Sequence, residues 1–225
     1  MKRLLTPLLA GLALAVAPAF ALGPVSFGPN LDASGWQDLT FRNQVPVDYV
    51  AEGTGTLRAT SKSAVSLIWK PLGSDYAAGS TASWSWQVAP GVPATDLARR
   101  GEDDRSLALY FLFADDARAA ENPPDSLRAA MRRGRALIYV WGGDDARGSI
   151  IQSPWMRGRG QMIVAQPAAG PSGRWISETA DLRGDFRRAF GREPGPLVGI
   201  AVSADSDDTG TTAQAWLADL VISTN

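Results

Sequence analysis

Three carboxylates, two hydroxyls and a glycine gather in Asp205-Ser206-Asp207-Asp208-Thr209-Gly210, where an apolar run from Leu197 to Ala204 stops. Carboxylates at the first and third positions, a hydroxyl at the fifth and glycine at the sixth follow the opening of a calcium loop, in which oxygen ligands wrap a hard cation. That pattern nominates Asp205, Asp207 and Thr209 as metal ligands and Ca2+ as a candidate cofactor. Asp208 is left as an acceptor for ligand hydroxyls. The closing acid of such a loop is missing, since Trp216 occupies the twelfth position. An acidic turn, which Asp, Thr and Gly favour for backbone reasons alone, is the plain alternative.

Two further stretches carry similar chemistry. Gly101-Glu102-Asp103-Asp104-Arg105 precedes the apolar run Ser106 to Phe113, and Ala136 to Trp141 runs into Gly142-Gly143-Asp144-Asp145. Asp103, Asp104, Arg105, Trp141 and Asp208 form the candidate ligand-binding set: carboxylates and a guanidinium fix hydroxyls, and an indole face stacks on a sugar ring. The competing account makes the acidic stretch a solvated loop and Trp141 part of the core. Glu178 shares a strand face with Ile176 and Ala180, which puts its carboxylate in a partly buried or groove position. Glu178 and Tyr139 are the candidate catalytic groups of a polysaccharide lyase or hydrolase.

Composition removes other chemistries. The chain has 225 residues with no His and no Cys. Imidazole-based nucleophile pairs, zinc sites and disulfides are therefore excluded, and any metal must be held by oxygen. Lys2 and Arg3, an apolar run from Leu4 to Val16, and Ala19-Phe20-Ala21 read as an export signal over residues 1–21. This places the mature chain, residues 22–225, in the periplasm or outside the cell. Without Lys2 and Arg3, the 22 basic residues fall to 20 against 23 acidic, which does not favour nucleic acid. No second apolar run approaches the roughly 20 residues needed to span a bilayer, so no membrane partner is expected after cleavage.

The elements that position these groups read as strands. Thr81 to Val88 alternates cleanly, with Ala82, Trp84, Trp86 and Val88 on one face. Ala64–Trp69, Ser106–Phe113, Ala136–Trp141 and Leu197–Ala204 are apolar on both faces, as central strands of packed sheets are. Leu57–Thr60, Gln161–Ala165, Trp175–Leu182 and Ala213–Ser223 complete eight or nine strands, separated by Gly, Pro, Asn and Asp clusters. Short helices fit Ser126–Arg133 and Asp185–Phe190, the second ended by Gly191. The fold class is an all-β, two-sheet sandwich in one domain. Trp84 and Trp86 are assigned to its core, with Trp175 and Trp216 read in the same way.

Trp84-Ser-Trp-Gln-Val88, Glu102-Asp-Asp-Arg105, Leu137-Ile-Tyr-Val-Trp141, Ser153-Pro154, Asp185-Phe-Arg-Arg-Ala-Phe-Gly191 and Gly199 through Gly210 occur in that order. Together they resemble the exported bacterial family called domain of unknown function 3047, over Trp36 to Ile222. The resemblance implies a jelly-roll sandwich akin to carbohydrate-binding modules and carries no established activity. The expected function is non-catalytic binding of a glycan or other polar ligand, assisted by calcium. A lyase or hydrolase and a structural, partner-binding envelope protein are the alternatives.

Overall fold

The computed structural model describes residues 20–224. The residues read as an export signal lie outside this range, except Phe20 and Ala21, which open the first strand. In chain order the elements are β1 (Phe20–Pro24), β2 (Gln37–Thr40), β3 (Asp48–Glu52), β4 (Thr56–Lys62), β5 (Val65–Pro71), β6 (Thr81–Val88) and β7 (Arg105–Ala114). There follow α1 (Leu127–Arg133), β8 (Gly134–Trp141), β9 (Ile150–Gln152), β10 (Gly160–Gln166), β11 (Ile176–Asp181), α2 (Leu182–Phe190), β12 (Leu197–Asp205) and β13 (Thr212–Thr224).

The strands form two sheets. A six-stranded sheet runs β11-β6-β13-β4-β3, and β1 pairs with the far end of β13 beyond β4. A seven-stranded sheet runs β2-β5-β12-β7-β8-β10-β9. The β8–β10 ladder is parallel and the others are antiparallel. This is the expected two-sheet sandwich. β1 and the edge strands β2, β3 and β9 add to those read from the sequence; the edge strands are short and lack a continuous apolar face.

Alternation fills the space between the sheets. Trp84 and Trp86 of β6 meet Leu109, Phe111, Tyr139 and Trp141 of β7 and β8 in one buried cluster. Trp86 contacts Trp84 and Trp141 edge-on, each at 5.5 Å between centroids, a favoured aromatic geometry. Removing one such indole costs about 3–5 kcal/mol. The seven-stranded sheet is also covered outside, by Leu97, Met156 and the α1 residues Leu127 and Ala130. Two covered faces explain why every residue of β7 and β12 is buried.

Both short helices form. Ser126 caps α1 by accepting from the Ala129 amide, and Asp181 caps α2 by accepting from the Gly184 amide. α2 begins at Leu182, one turn earlier than the sequence pattern suggests, because the Asp181 cap starts it there. Gly191 ends it in the left-handed conformation.

Candidate functional site

The antiparallel ladder of β7 and β12 sets Arg105, the first residue of one strand, opposite Asp205, the last of the other. The Arg105 guanidinium is buried, and its Nη1 reaches Asp205 Oδ2 at 3.3 Å, Asp103 Oδ2 at 3.4 Å and the Asp103 carbonyl at 2.8 Å. Its Nη2 donates to the Tyr110 hydroxyl at 3.1 Å and to Ser203 Oγ at 3.4 Å. A Cβ on Gly142 would come within 2.8 Å of Arg105 Cβ, so glycine is required where β8 leaves this corner. Burial works against the Arg105 charge, but Tyr110, Asp205 and Asp103 hold the guanidinium protonated well above its usual range.

Asp104 is fully buried and fastens the loop that follows β12. Its two oxygens accept the Asp208 amide at 3.3 Å and the Thr209 amide at 2.7 Å, contacts spanning more than 100 residues of chain. Ser206 anchors the loop from the other side, where its Oγ accepts the Ala64 amide at 3.2 Å. Gly210 then turns the chain with φ 64°, a conformation glycine takes without strain.

This fastening brings one carboxylate oxygen from each of Asp104, Asp207 and Asp208 within 4.8 Å of the others. The grouping differs from the expected cation set of Asp205, Asp207 and Thr209. Asp205 ends β12 with its carboxyl turned to Arg105, and the Thr209 hydroxyl pairs with that of Thr211 at 2.7 Å. Gln44 donates to Asp207 at 2.6 Å, and Asp208 is the most exposed of the trio. Burial pushes the Asp205 carboxyl up, Arg105 pulls it down, and Asp207 and Asp104 raise it again, leaving it at about 9. Asp208 is pushed up to about 6, by burial and then by Asp207, Asp104 and Asp103.

Trp155, 59% exposed, stands next to Asp103, the residue before Asp104 in the chain. Its indole Nε1 donates to Asp103 Oδ2 at 2.9 Å, and the Arg100 guanidinium lies 4.8 Å from its ring centroid. The ring is thus held in place at the surface. Sequence reading missed Trp155 and Arg100, because Ser153-Pro154-Trp155 lies outside any alternating run. The available signal was an indole in a polar turn, with no strand face on which to be buried.

The other candidates lie elsewhere. Trp141 is a correction: it is 2% exposed and packed on Trp86, so it offers no stacking face to a ligand. Its alternation with Leu137 and Tyr139 puts it on the inner face of β8. Asp103 and Arg105 are also buried and act by positioning Trp155 and Asp205. Glu178 is buried in β11, where it accepts two hydrogen bonds from Arg147 at 2.6 and 3.0 Å and one from Gln166 at 2.6 Å. That network ties the two sheets together at one edge, away from the acidic trio. Tyr139 is a core residue whose hydroxyl donates to Asp185 at 2.6 Å. Burial, then the Asp185 charge and hydrogen bond, raise its pKa far above the ordinary tyrosine value. Trp175 and Trp216 correct the core reading as well, at 46% exposed and half-buried respectively.

Comparison with solved structures finds similar folds at low identity. A family 29 carbohydrate-binding module is 9% identical, with 92% of this chain and 89% of that one covered at a TM-score of 0.40. A family 29 module complexed with mannohexaose is 11% identical, with 94% of each chain covered and a TM-score of 0.40. The xyloglucanase domain of NopAA from Sinorhizobium fredii, in complex with cellobiose, is 9% identical, with 92% and 98% covered and a TM-score of 0.47. No curated protein matches the chain. Residues 34–221 match the family described as protein of unknown function, DUF3047, and the chain belongs to that family.

Proposed function

We propose that this sandwich binds a glycan without catalysis at the corner formed by Trp155 and the Asp104, Asp207 and Asp208 carboxylates, with calcium held by that trio. The observation that carries this reading is the exposed Trp155 ring, fixed by Asp103 and Arg100 next to oxygen acceptors. A sugar presents an apolar C–H face and a rim of hydroxyls. An immobilised indole takes the first and carboxylates or a bound cation take the second. Donors made only of oxygen suit calcium, which accepts several carboxylates in flexible geometry.

Neither candidate catalytic group supports the lyase or hydrolase alternative, because Glu178 is held by Arg147 and Gln166 and Tyr139 by Asp185. The export signal read at residues 1–21 supports action in the periplasm or outside the cell. Mass measurement of the natively expressed protein checks this: a start at Leu22 agrees, and a retained Met1 contradicts it. Isothermal titration in calcium against a panel of periplasmic and exopolysaccharide fragments tests binding. Saturable heat with one glycan class is expected, and silence with all of them overturns the proposal.

A further inference from the structure

The two long edges of the sandwich are finished differently. At the β11 and β10 edge, Glu178, Arg147 and Gln166 close the gap between the sheets. At the opposite edge, where β2 ends one sheet and β3 the other, the sheets stand apart around a cleft of about 580 Å³. That volume falls within the range of roughly 300–1,000 Å³ typical of small-ligand sites.

Register explains the opening. In β2, Asp38 pairs with Ile68 and Thr40 with Ser66, which places both polar residues on the face that should meet the other sheet. Ile68 belongs to the core between the sheets, whereas Leu39 packs on the outer face. Polar side chains at two core-facing positions cannot be buried without partners, so the sheets cannot close over them. Across the gap, Tyr49 and Ala51 of β3 are only partly buried.

The lining has one sign of charge. Asp32, Asp38 and Asp48 stand at the mouth, and no Lys or Arg is among the residues that line it. Asp32 and Asp38 form no ion pair among the described residues, and Arg58 lies nearer Glu52, at 2.8 Å, than Asp48, at 3.5 Å. Lys70 turns its ammonium to the Ser34 carbonyl instead. The inner wall is apolar, with Leu31 and Tyr49 half-buried over the core residues Trp36, Val47 and Ile68. Carboxylates lining a partly dry cleft favour an ammonium by charge attraction, and the half-buried Tyr49 ring offers it the one partly accessible aromatic edge of the wall.

We infer that this cleft is a second binding site, separate from the Trp155 corner, for a small amine with an apolar or aromatic body. Tryptamine is a suitable probe, and its alcohol analogue tryptophol has the same ring without the charge. Amide spectra of the whole protein titrated with tryptamine should shift at residues 30–32, 36–40, 47–51 and 66–68. Tryptophol should bind at least about tenfold more weakly. Asp38→Asn should weaken tryptamine about three- to tenfold, as expected on losing one partly screened charge. Asp48→Asn serves if the first variant does not fold. An absence of shifts in these residues at millimolar tryptamine would overturn the inference. So would equal affinity for tryptophol, or shifts confined to the Trp155 corner.

Discussion

Trp155 and Asp103 are joined by a hydrogen bond of 2.9 Å that ties an exposed ring to a buried carboxylate. The same carboxylate oxygen lies 3.4 Å from Arg105 Nη1, so the surface ring and the buried guanidinium share one anchor. Asp103→Ala should therefore release the ring while most of the fold survives. The indole N–H resonance of Trp155, assigned with Trp155→Phe, should move and exchange faster with solvent. An unmoved resonance would show that the ring is held by other contacts.

Among the described residues, Arg105 is the ion-pair partner of both Asp103 and Asp205. Arg105→Met should cost about 3–5 kcal/mol in urea unfolding, because it strands buried carboxylates. Adding Asp205→Asn should recover part of that loss, since it removes the buried carboxyl that Arg105 faced and the two sites are in direct contact. Strictly additive losses would contradict the coupling.

The acidic trio makes a prediction about pH. Asp208 is pushed up to about 6 in the folded chain, against an ordinary value of about 3.9. A raised carboxyl contributes stability below its unfolded value and loses it as pH rises through the folded value. With chelator present, Asp208→Asn should therefore melt higher than wild type near pH 8. That advantage should shrink as pH falls through about 6 toward 4. At pH 8 calcium should raise the wild-type melting temperature by binding the folded state, and raise that of Asp208→Asn less. Identical calcium responses would remove Asp208 from the cation site.

Glu178 is read here as a clamp between the sheets, not as a base. Glu178→Gln should lower stability by about 1–3 kcal/mol through its lost charge-assisted bonds to Arg147 and Gln166. The cost stays moderate because the Arg147 side chain is 57% exposed and can return to water. Calorimetric melting checks this, and an unchanged melt would show the clamp to be idle.

The sheet architecture was legible wherever alternation was strong. Thr81 to Val88 declares its buried face in Ala82, Trp84, Trp86 and Val88, and the structure buries all four. Trp141 could have been assigned by the same logic, because Leu137 and Tyr139 precede it at a period of two. The acidic corner was legible in part: the residue types around Asp103–Arg105 and Asp205–Asp208 marked it. Which carboxylates meet was not legible, since Asp104 meets the 208–209 amides across more than 100 residues of chain and local pattern records no such contact. The open edge was hidden for a related reason. Asp38 and Thr40 look like an ordinary polar strand until pairing with Ile68 and Ser66 reveals which face they occupy.

Trp155 is the anchor of the proposed glycan site. The most direct measurement is retention on a glycan array of wild type and Trp155→Ala, each in calcium and in chelator. Wild type in calcium should retain one class of glycan, chelator should weaken that retention, and Trp155→Ala should lose it while melting close to wild type. Retention by Trp155→Ala equal to that of wild type, or no retention by either protein, would contradict the account.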